Sequence, residues 1–255
     1  MAVALVIFDL GNTLVDYHGG GFSDEEKDLI GLHRMHMVLR KRFPQLTLTA
    51  LYDEFYRPWL KAQTHRSKKV REYDVRHFLG KAIDLADLTE PQYRRAMLAF
   101  HGPFIETVRG APGALELLRD LSAKGIYLAL LANSPIPGFC HDAALARIGL
   151  LSFLKTRVFS YDIGMRKPDT RLFQMLMSQA DAQPSSTVMV GDSERLDLVP
   201  ARSLGIHAIK FDCRIEGQSA ASGNQSKWLS ASTLSDLRQL LAQGEEDASH
   251  LSPEP

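Results

Sequence analysis

From Ala111 onward the chain repeats one unit, an amphipathic helix followed by a short apolar strand, and this alternation restricts its fold more than any other feature. A helix pattern from Pro112 to Lys124, stopped by Gly125, precedes the apolar run Tyr127 to Leu131. A helix near Phe139 to Ile148, a strand at Arg157 to Ser160 and a helix from Thr170 through Gln179 follow. The strand Thr187 to Val190, the helix Arg195 to Leu204 and the strand His207 to Phe211 continue the cycle, and a last amphipathic helix is expected at Leu234 to Leu241. Short apolar strands separated by helices predict an α/β fold with a parallel sheet covered on both faces. The first strand is Val3 to Phe8, too short for a typical helix and rich in β-branched and aromatic residues.

Between that strand and Ala111 lie about ninety residues with helical period and almost no strand signal. Ser23-Asp24-Glu25-Glu26 is a capping box opening a helix towards Arg42, and Thr89-Glu90-Pro91-Gln92 opens another through about Val108. Helices near Leu48 to Ala62 and Arg71 to Ala86 complete a small bundle. The expected organisation is a core of residues 1–16 and 109–243 with a helical insertion at 17–108. Gly19-Gly20-Gly21, at the crossing, reads equally as a hinge or as an ordinary loop. Arg214 to Lys227 reads as a mobile loop, and 244–255, polar and acidic with Pro, as a disordered tail.

Thirty basic and thirty acidic residues cancel, so no global field points to nucleic acid or an anionic membrane. The start of the chain lacks a basic leader and no apolar stretch is long enough to span a bilayer, so a cytoplasmic protein, monomeric or weakly dimeric, is expected. Cys140 and Cys213, far apart and without metal spacing, are expected to be reduced thiols.

The polar residues that could do chemistry stand where strands end. The first strand runs into Asp9-Leu10-Gly11-Asn12-Thr13, and ligands of open α/β sheets bind at the carboxyl ends of strands. The strand Tyr127 to Leu131 stops at Ala132-Asn133-Ser134-Pro135, whose small polar groups suit phosphoryl oxygens. Lys167, before Pro168, can present a compact positive charge to a carboxylate or phosphate. Gly191-Asp192-Ser193-Glu194-Arg195-Leu196-Asp197 releases two acids five apart, hard oxygen ligands of the kind Mg²⁺ takes. Each station alone has an ordinary structural reading: a turn, a helix cap or a solvated lysine.

In this order the four stations resemble the haloacid dehalogenase (HAD) superfamily of phosphohydrolases over about residues 3 to 212. The resemblance implies a Rossmann-like core, with the helical insertion as that family's cap. It implies Asp9 as nucleophile, Lys167 as stabilising cation, and Mg²⁺ held by Asp9, the Gly11 carbonyl, Asp192 and Asp197. Asn12, Thr13, Asn133 and Ser134 become the candidates for holding a phosphoryl group, and a small phosphorylated metabolite the expected substrate.

Two positions depart from the pattern. The family's phosphatases carry a second Asp two residues after the nucleophile, which protonates the leaving oxygen and later deprotonates the attacking water; here that position is Gly11. Its loss costs about 10² to 10⁴ in rate, crippling for an alkyl phosphate and more tolerable for acyl, aryl or anomeric phosphates. Ala132 stands where the family places a Thr or Ser, and Ser134 compensates only if the strand continues that far. Asp16 and Ser193 are near enough in sequence to be weighed as replacement acids, with turn formation the favoured reading of Asp16.

Three functions remain open: a Mg²⁺-dependent phosphatase working through an aspartyl-phosphate on Asp9, a catalytically impaired binding or regulatory protein, and a metal-independent 2-haloacid dehalogenase. In the helical insertion, Arg66, Lys68, Lys69, Arg71 and Arg76 form a basic run that reads as a solvated face or, alternatively, as a means of gathering an anionic substrate; His33 and His36 share a helix face; and Tyr52, Phe55, Tyr56 and Trp59 repeat at helical spacing as bundle core, with an aromatic substrate wall as the alternative.

Overall fold

The computed structural model describes residues 2–64, 72–213, 228–231 and 233–243. The basic residues Arg66, Lys68, Lys69 and Arg71, the expected loop Arg214 to Lys227 and the expected tail lie outside the described residues. The described residues form eight strands: β1 (Leu5–Phe8), β2 (Val15–Asp16), β3 (Arg109–Gly110), β4 (Tyr127–Ala132), β5 (Thr156–Phe159), β6 (Thr187–Gly191), β7 (His207–Lys210) and β8 (Leu229–Ser230). Six form one parallel sheet in the order β5-β4-β1-β6-β7-β8. Each of the five strands expected from the sequence is there, displaced by at most two residues. The sixth, β8, was not expected.

Both faces of the sheet are buried, which is why its strands read as continuous apolar runs rather than alternating ones. Val6 and Phe8 of β1 join Leu128, Leu130, Val188 and Val190 in one core layer. Leu5 and Ile7, pointing the other way, join Ala129, Leu131 and Met189 beneath Phe173 and Leu176. β1 lies between β4 and β6, with Phe8 opposite Leu130 on one side and Val190 on the other. After β1 the chain builds outward through β4 and β5, then crosses back to β6. This reversal of winding opens a crevice at the strand ends, where ligands of such sheets bind.

β2 and β3 form a separate antiparallel ribbon at the two ends of the helical insertion. Asp16 lies in it and accepts a hydrogen bond from the His18 amide at 2.8 Å, as its turn reading requires. The helix Asp24–Leu39 begins with the expected capping box between Ser23 and Glu26, and Glu90–Thr107 with the one between Thr89 and Gln92. The expected helix from Leu48 is broken into Leu48–Ala50, a π-helical turn Leu51–Tyr56 and Arg57–Thr64. The next one is shorter than expected, Val75–Ala82, and a 3₁₀ turn capped by Asp84 follows it.

Phe55, Trp59 and Phe100 pack the centre of this layer, with Trp59 and Phe100 edge to face at 5.7 Å. His36 is structural: its Nε2 shares a hydrogen bond with the Leu46 carbonyl at 2.8 Å. Arg76 pairs with Glu90 at 2.6 Å and lies 3.6 Å from the centre of the Tyr93 ring.

The helices Asp24–Leu39 and Glu90–Thr107 touch backbone to backbone at Gly31, where an added Cβ would lie 1.8 Å from the Phe100 carbonyl oxygen. Gly31→Ala is therefore expected to lower unfolding free energy. Alanine gains about 1 kcal/mol of helix propensity, but forcing the helices apart costs about 3 kcal/mol. A net fall near 2 kcal/mol in denaturant titration is the expected reading, and an unchanged midpoint would mean that the helices are not locked at this contact.

The layer is tied to the core through Glu72, whose Oε2 accepts from Ser160 Oγ at 2.7 Å and lies 3.5 Å from Arg166 Nε. Asp74 accepts from Tyr161 OH at 2.9 Å.

Candidate active site

Asp9 follows β1 directly, and its amide donates to the Val190 carbonyl at 2.9 Å, extending the β1–β6 ladder by one residue. That last ladder bond fixes the direction of the carboxylate. The chain then turns sharply: the Leu14 and Val15 amides return to Leu10 at 2.9 and 3.0 Å, and Asn12 takes a left-handed backbone, φ 60°. Asparagine is among the few side chains that tolerate this conformation. From there Asn12 Nδ2 donates to Asp192 Oδ2 at 3.1 Å, so the turn after β1 holds the loop after β6.

Lys167 is 3% exposed and its ammonium donates to Asp9 Oδ1 and to Asp197 Oδ1, both at 2.6 Å. The other oxygen of Asp197 accepts from the Ser193 amide at 3.1 Å. Burial by itself would lower the Lys167 pKa, but the two carboxylates outweigh it and hold the ammonium above the usual lysine range. Burial pushes Asp197 up, with Lys167 opposing. Asp192 is also raised, by burial first and by Asp9 second. Oxygens of Asp9, Asp192 and Asp197 lie within 4.8 Å of one another. Three carboxylates against one ammonium leave two negative charges, the complement of a divalent cation, and an all-oxygen donor set suits Mg²⁺. Since both Asp197 oxygens already have partners, Asp9 and Asp192 are the better placed of the three to meet an ion.

Several expected phosphate contacts are placed otherwise. Thr13 is fully buried, and its hydroxyl has no hydrogen-bond partner among the described residues and does not line the cavity. The tight turn after Gly11 aims it into the core. Asn133 binds the backbone of Lys167 in both directions, Nδ2 to the carbonyl at 3.0 Å and the Lys167 amide to Oδ1 at 2.8 Å, so it orients the lysine instead of offering a free amide. β4 ends at Ala132, which removes the extended geometry Ser134 needs to stand in for residue 132. The Ser134 hydroxyl is 2.6 Å from His141 Nε2 and bonds the Ile136 backbone at 3.1 Å, while His141 Nδ1 meets Tyr17 OH at 2.8 Å. Ser193 caps the turn that follows it, accepting from the Leu196 amide at 3.3 Å.

Asp9, Gly11, Asn12, Lys167, Asp192 and Asp197 open on one cavity of about 580 Å³ between the sheet edge and the helical layer. A larger groove, about 730 Å³, lies within the helical layer beside Phe43 and Lys81; it contains none of these groups and has no comparable chemistry. At Gly11 an added Cβ would meet nothing within 4 Å, so the missing side chain leaves open space towards the cavity. The opposite wall, from the helical layer, includes Asp28, Trp59 and His101. Asp28 and His101 carry no signal in the sequence, whereas Trp59 meets both of its expected readings, packing in the core of the helical layer and lining the cavity. Helical spacing shows which residues share a face, not which face meets another part of the fold.

These features define a class, α/β proteins in which a helical layer inserted after the first strand covers a carboxylate at the sheet edge. Residues 3–205 match the family model described as haloacid dehalogenase-like hydrolase, and the chain belongs to that family.

It is 27% identical over 128 residues to ribulose-1,5-bisphosphate 5-phosphatase of Halopiger xanaduensis, covering 50% of this chain and 53% of that one. It is 35% identical over 135 residues to phosphoglycolate phosphatase of Rhodospirillum rubrum, covering 51% and 54%. In these matches the chain spans about half the length of its relatives. Among solved structures, an HAD phosphatase from Thermococcus onnurineus superposes with TM-score 0.59 at 20% identity, over 94% of this chain and 98% of that one. A 2-haloacid dehalogenase from Pseudomonas syringae pv. Tomato DC3000 gives 0.58 at 22% identity, over 94% and 99%. Fold similarity alone therefore does not separate the two chemistries. No helix among the described residues is long and apolar enough to cross a membrane.

Proposed function

We propose that the chain is a Mg²⁺-dependent phosphatase acting on a small phosphorylated metabolite, with residues 17–108 as the cap that closes the site. The observation that carries this reading is Lys167, buried and bonded at 2.6 Å to both Asp9 and Asp197, beside a third carboxylate at Asp192. A carboxylate attacking phosphorus approaches an anion, so catalysis rests on positive charge fixed nearby. The relatives named above are phosphatases of small sugar or acid phosphates, which agrees with that use.

In this mechanism an Asp9 oxygen attacks phosphorus as the ester P–O bond breaks and the alcohol departs, forming an aspartyl-phosphate; water then attacks that phosphorus, releasing inorganic phosphate and restoring the Asp9 carboxylate. Lys167 neutralises charge on Asp9 and the incoming group. Asp197 and Asn133 orient Lys167, and Asn12 steadies Asp192. Asp9, Asp192 and the Gly11 carbonyl would hold Mg²⁺, with Asp197 beside them, and the ion would screen the carboxylate from the phosphoryl oxygens. Position 11 supplies no proton to the leaving oxygen. Leaving groups that depart as weak bases are accordingly preferred.

Phosphate release from aryl, acyl and alkyl phosphates, measured with Mg²⁺ and with a chelator, tests this. Turnover is expected only with the metal, and aryl and acyl esters should exceed alkyl esters by about 10². No release from any ester by the folded protein would instead support the binding or regulatory reading, which the absent side chains at Gly11 and Ala132 and the misplaced Thr13 hydroxyl favour. Chloride release from 2-haloacids without metal would select the dehalogenase.

A further inference from the structure

The cavity wall from the helical layer carries polar groups that the described residues leave wholly or partly unsatisfied. Asp28 accepts a hydrogen bond from Tyr56 OH at 3.1 Å, but no cation faces it among the described residues. Burial pushes its carboxyl up to about 6 despite that bond, as expected for a carboxylate without a counter-charge. The neighbouring Lys27 is fully buried and turned away, donating to the Tyr17 carbonyl at 2.6 Å and lying 5.3 Å from the centre of the Phe104 ring. Trp59 is 6% and His101 4% exposed; both line the cavity, and neither Trp59 Nε1 nor His101 Nε2 has a hydrogen-bond partner among the described residues. Burial pushes His101 down to about 3, so its imidazole is neutral at pH 7. The cationic lining residues Arg166 and Lys167 face Glu72 and the Asp9–Asp197 pair respectively.

A carboxylate lacking a counter-charge among the described residues and a neutral imidazole able to offer a lone pair both favour a positive group. The indole N–H requires an oxygen or other acceptor as well. Resting on the phosphatase reading, we propose that this wall receives the leaving group of an amino alcohol phosphate, with the substrate's ammonium at Asp28 and an oxygen at Trp59 Nε1. A second phosphate or a carboxylate on the leaving group would face Asp24 and Asp28 instead of a cation. An ammonium near the ester also withdraws electron density from the departing oxygen and makes it less basic, which suits a site with no acid at residue 11.

2-Aminoethyl phosphate and n-propyl phosphate have chains of equal length and differ as ammonium against methyl; carboxymethyl phosphate presents an anion. Their binding to the Asp9→Asn protein with Mg²⁺, by titration calorimetry, separates recognition from turnover. The amine is expected to bind at least tenfold more tightly than the propyl ester, with the carboxymethyl ester weakest. Asp28→Asn, which keeps an acceptor for Tyr56, should erase the difference between amine and methyl. Asp24→Asn, at an exposed position, should reduce it less. Equal affinities, or an amine preference that survives Asp28→Asn in a folded protein, would overturn this proposal and leave the phosphatase reading standing. Binding of none of the three esters would overturn both.

Discussion

The Asp9→Asn protein is expected to fold normally and to lose turnover of every phosphate ester by a factor on the order of 10⁴ or more. The substitution is nearly isosteric, and the amide oxygen can still accept from Lys167, which also keeps Asp197. What disappears is the anionic oxygen that attacks phosphorus, and an amide is too weak a nucleophile to replace it. Removing this charge also relieves Asp192 and Asp197, both of which Asp9 pushes up, so stability should not fall. Steady-state phosphate release beside a thermal melt decides the matter. Comparable turnover by the variant would mean that another group attacks, and the assignment of Asp9 would fail.

Gly11→Asp should act in the opposite direction, raising kcat on alkyl phosphates by about 10² to 10⁴ and on aryl phosphates by less, since only the water-activation role is then gained. The new Cβ meets nothing within 4 Å, and residue 11 is not held in a left-handed conformation, so the carboxyl group can be added without rebuilding the turn. A proton donor matters most where the departing oxygen is strongly basic, hence the contrast between ester types. The ratio of alkyl to aryl kcat is the decisive measurement. If it stays constant in a folded variant, proton transfer is not what limits this site, and attention moves to Ala132 and to the inward-turned hydroxyl of Thr13.

How much of this was legible in the sequence depended on the length of the signal. The five longer sheet strands are apolar runs between helices, and their pattern shows in the sequence. The ribbon of Val15–Asp16 with Arg109–Gly110 was not legible, because two-residue strands have no periodicity. Nor was β8, also two residues long. Asp9, Lys167, Asp192 and Asp197 stood out because each ends or follows a strand, and the fold brings them together. Asn133 and Ser134 sit where expected along the chain, yet their side chains turn to Lys167 and His141, partners 34 and 7 residues away. Side-chain direction at the end of a strand depends on such tertiary partners. Asp28 and His101 were invisible for a related reason: their significance lies in facing the sheet edge, and nothing local to either helix encodes that.

The central position of β1 has a consequence for how the chain is made. Asp9 meets a lysine 158 residues later, and Asn12 an aspartate 180 residues later. At ribosomal speeds of about 5–20 residues per second, the first strand emerges on the order of ten seconds before β6, the partner that completes its pairing. Once β4 has emerged the first strand can pair on that side, but the edge that takes β6 stays open until the end of the interval. The helical insertion, whose contacts are nearer in sequence, can gather first and stand beside it. A nascent chain halted before β4 should therefore present a folded helical layer and an exposed first strand, and one halted before β6 a first strand still open along one edge, the kind of segment that holdase chaperones capture.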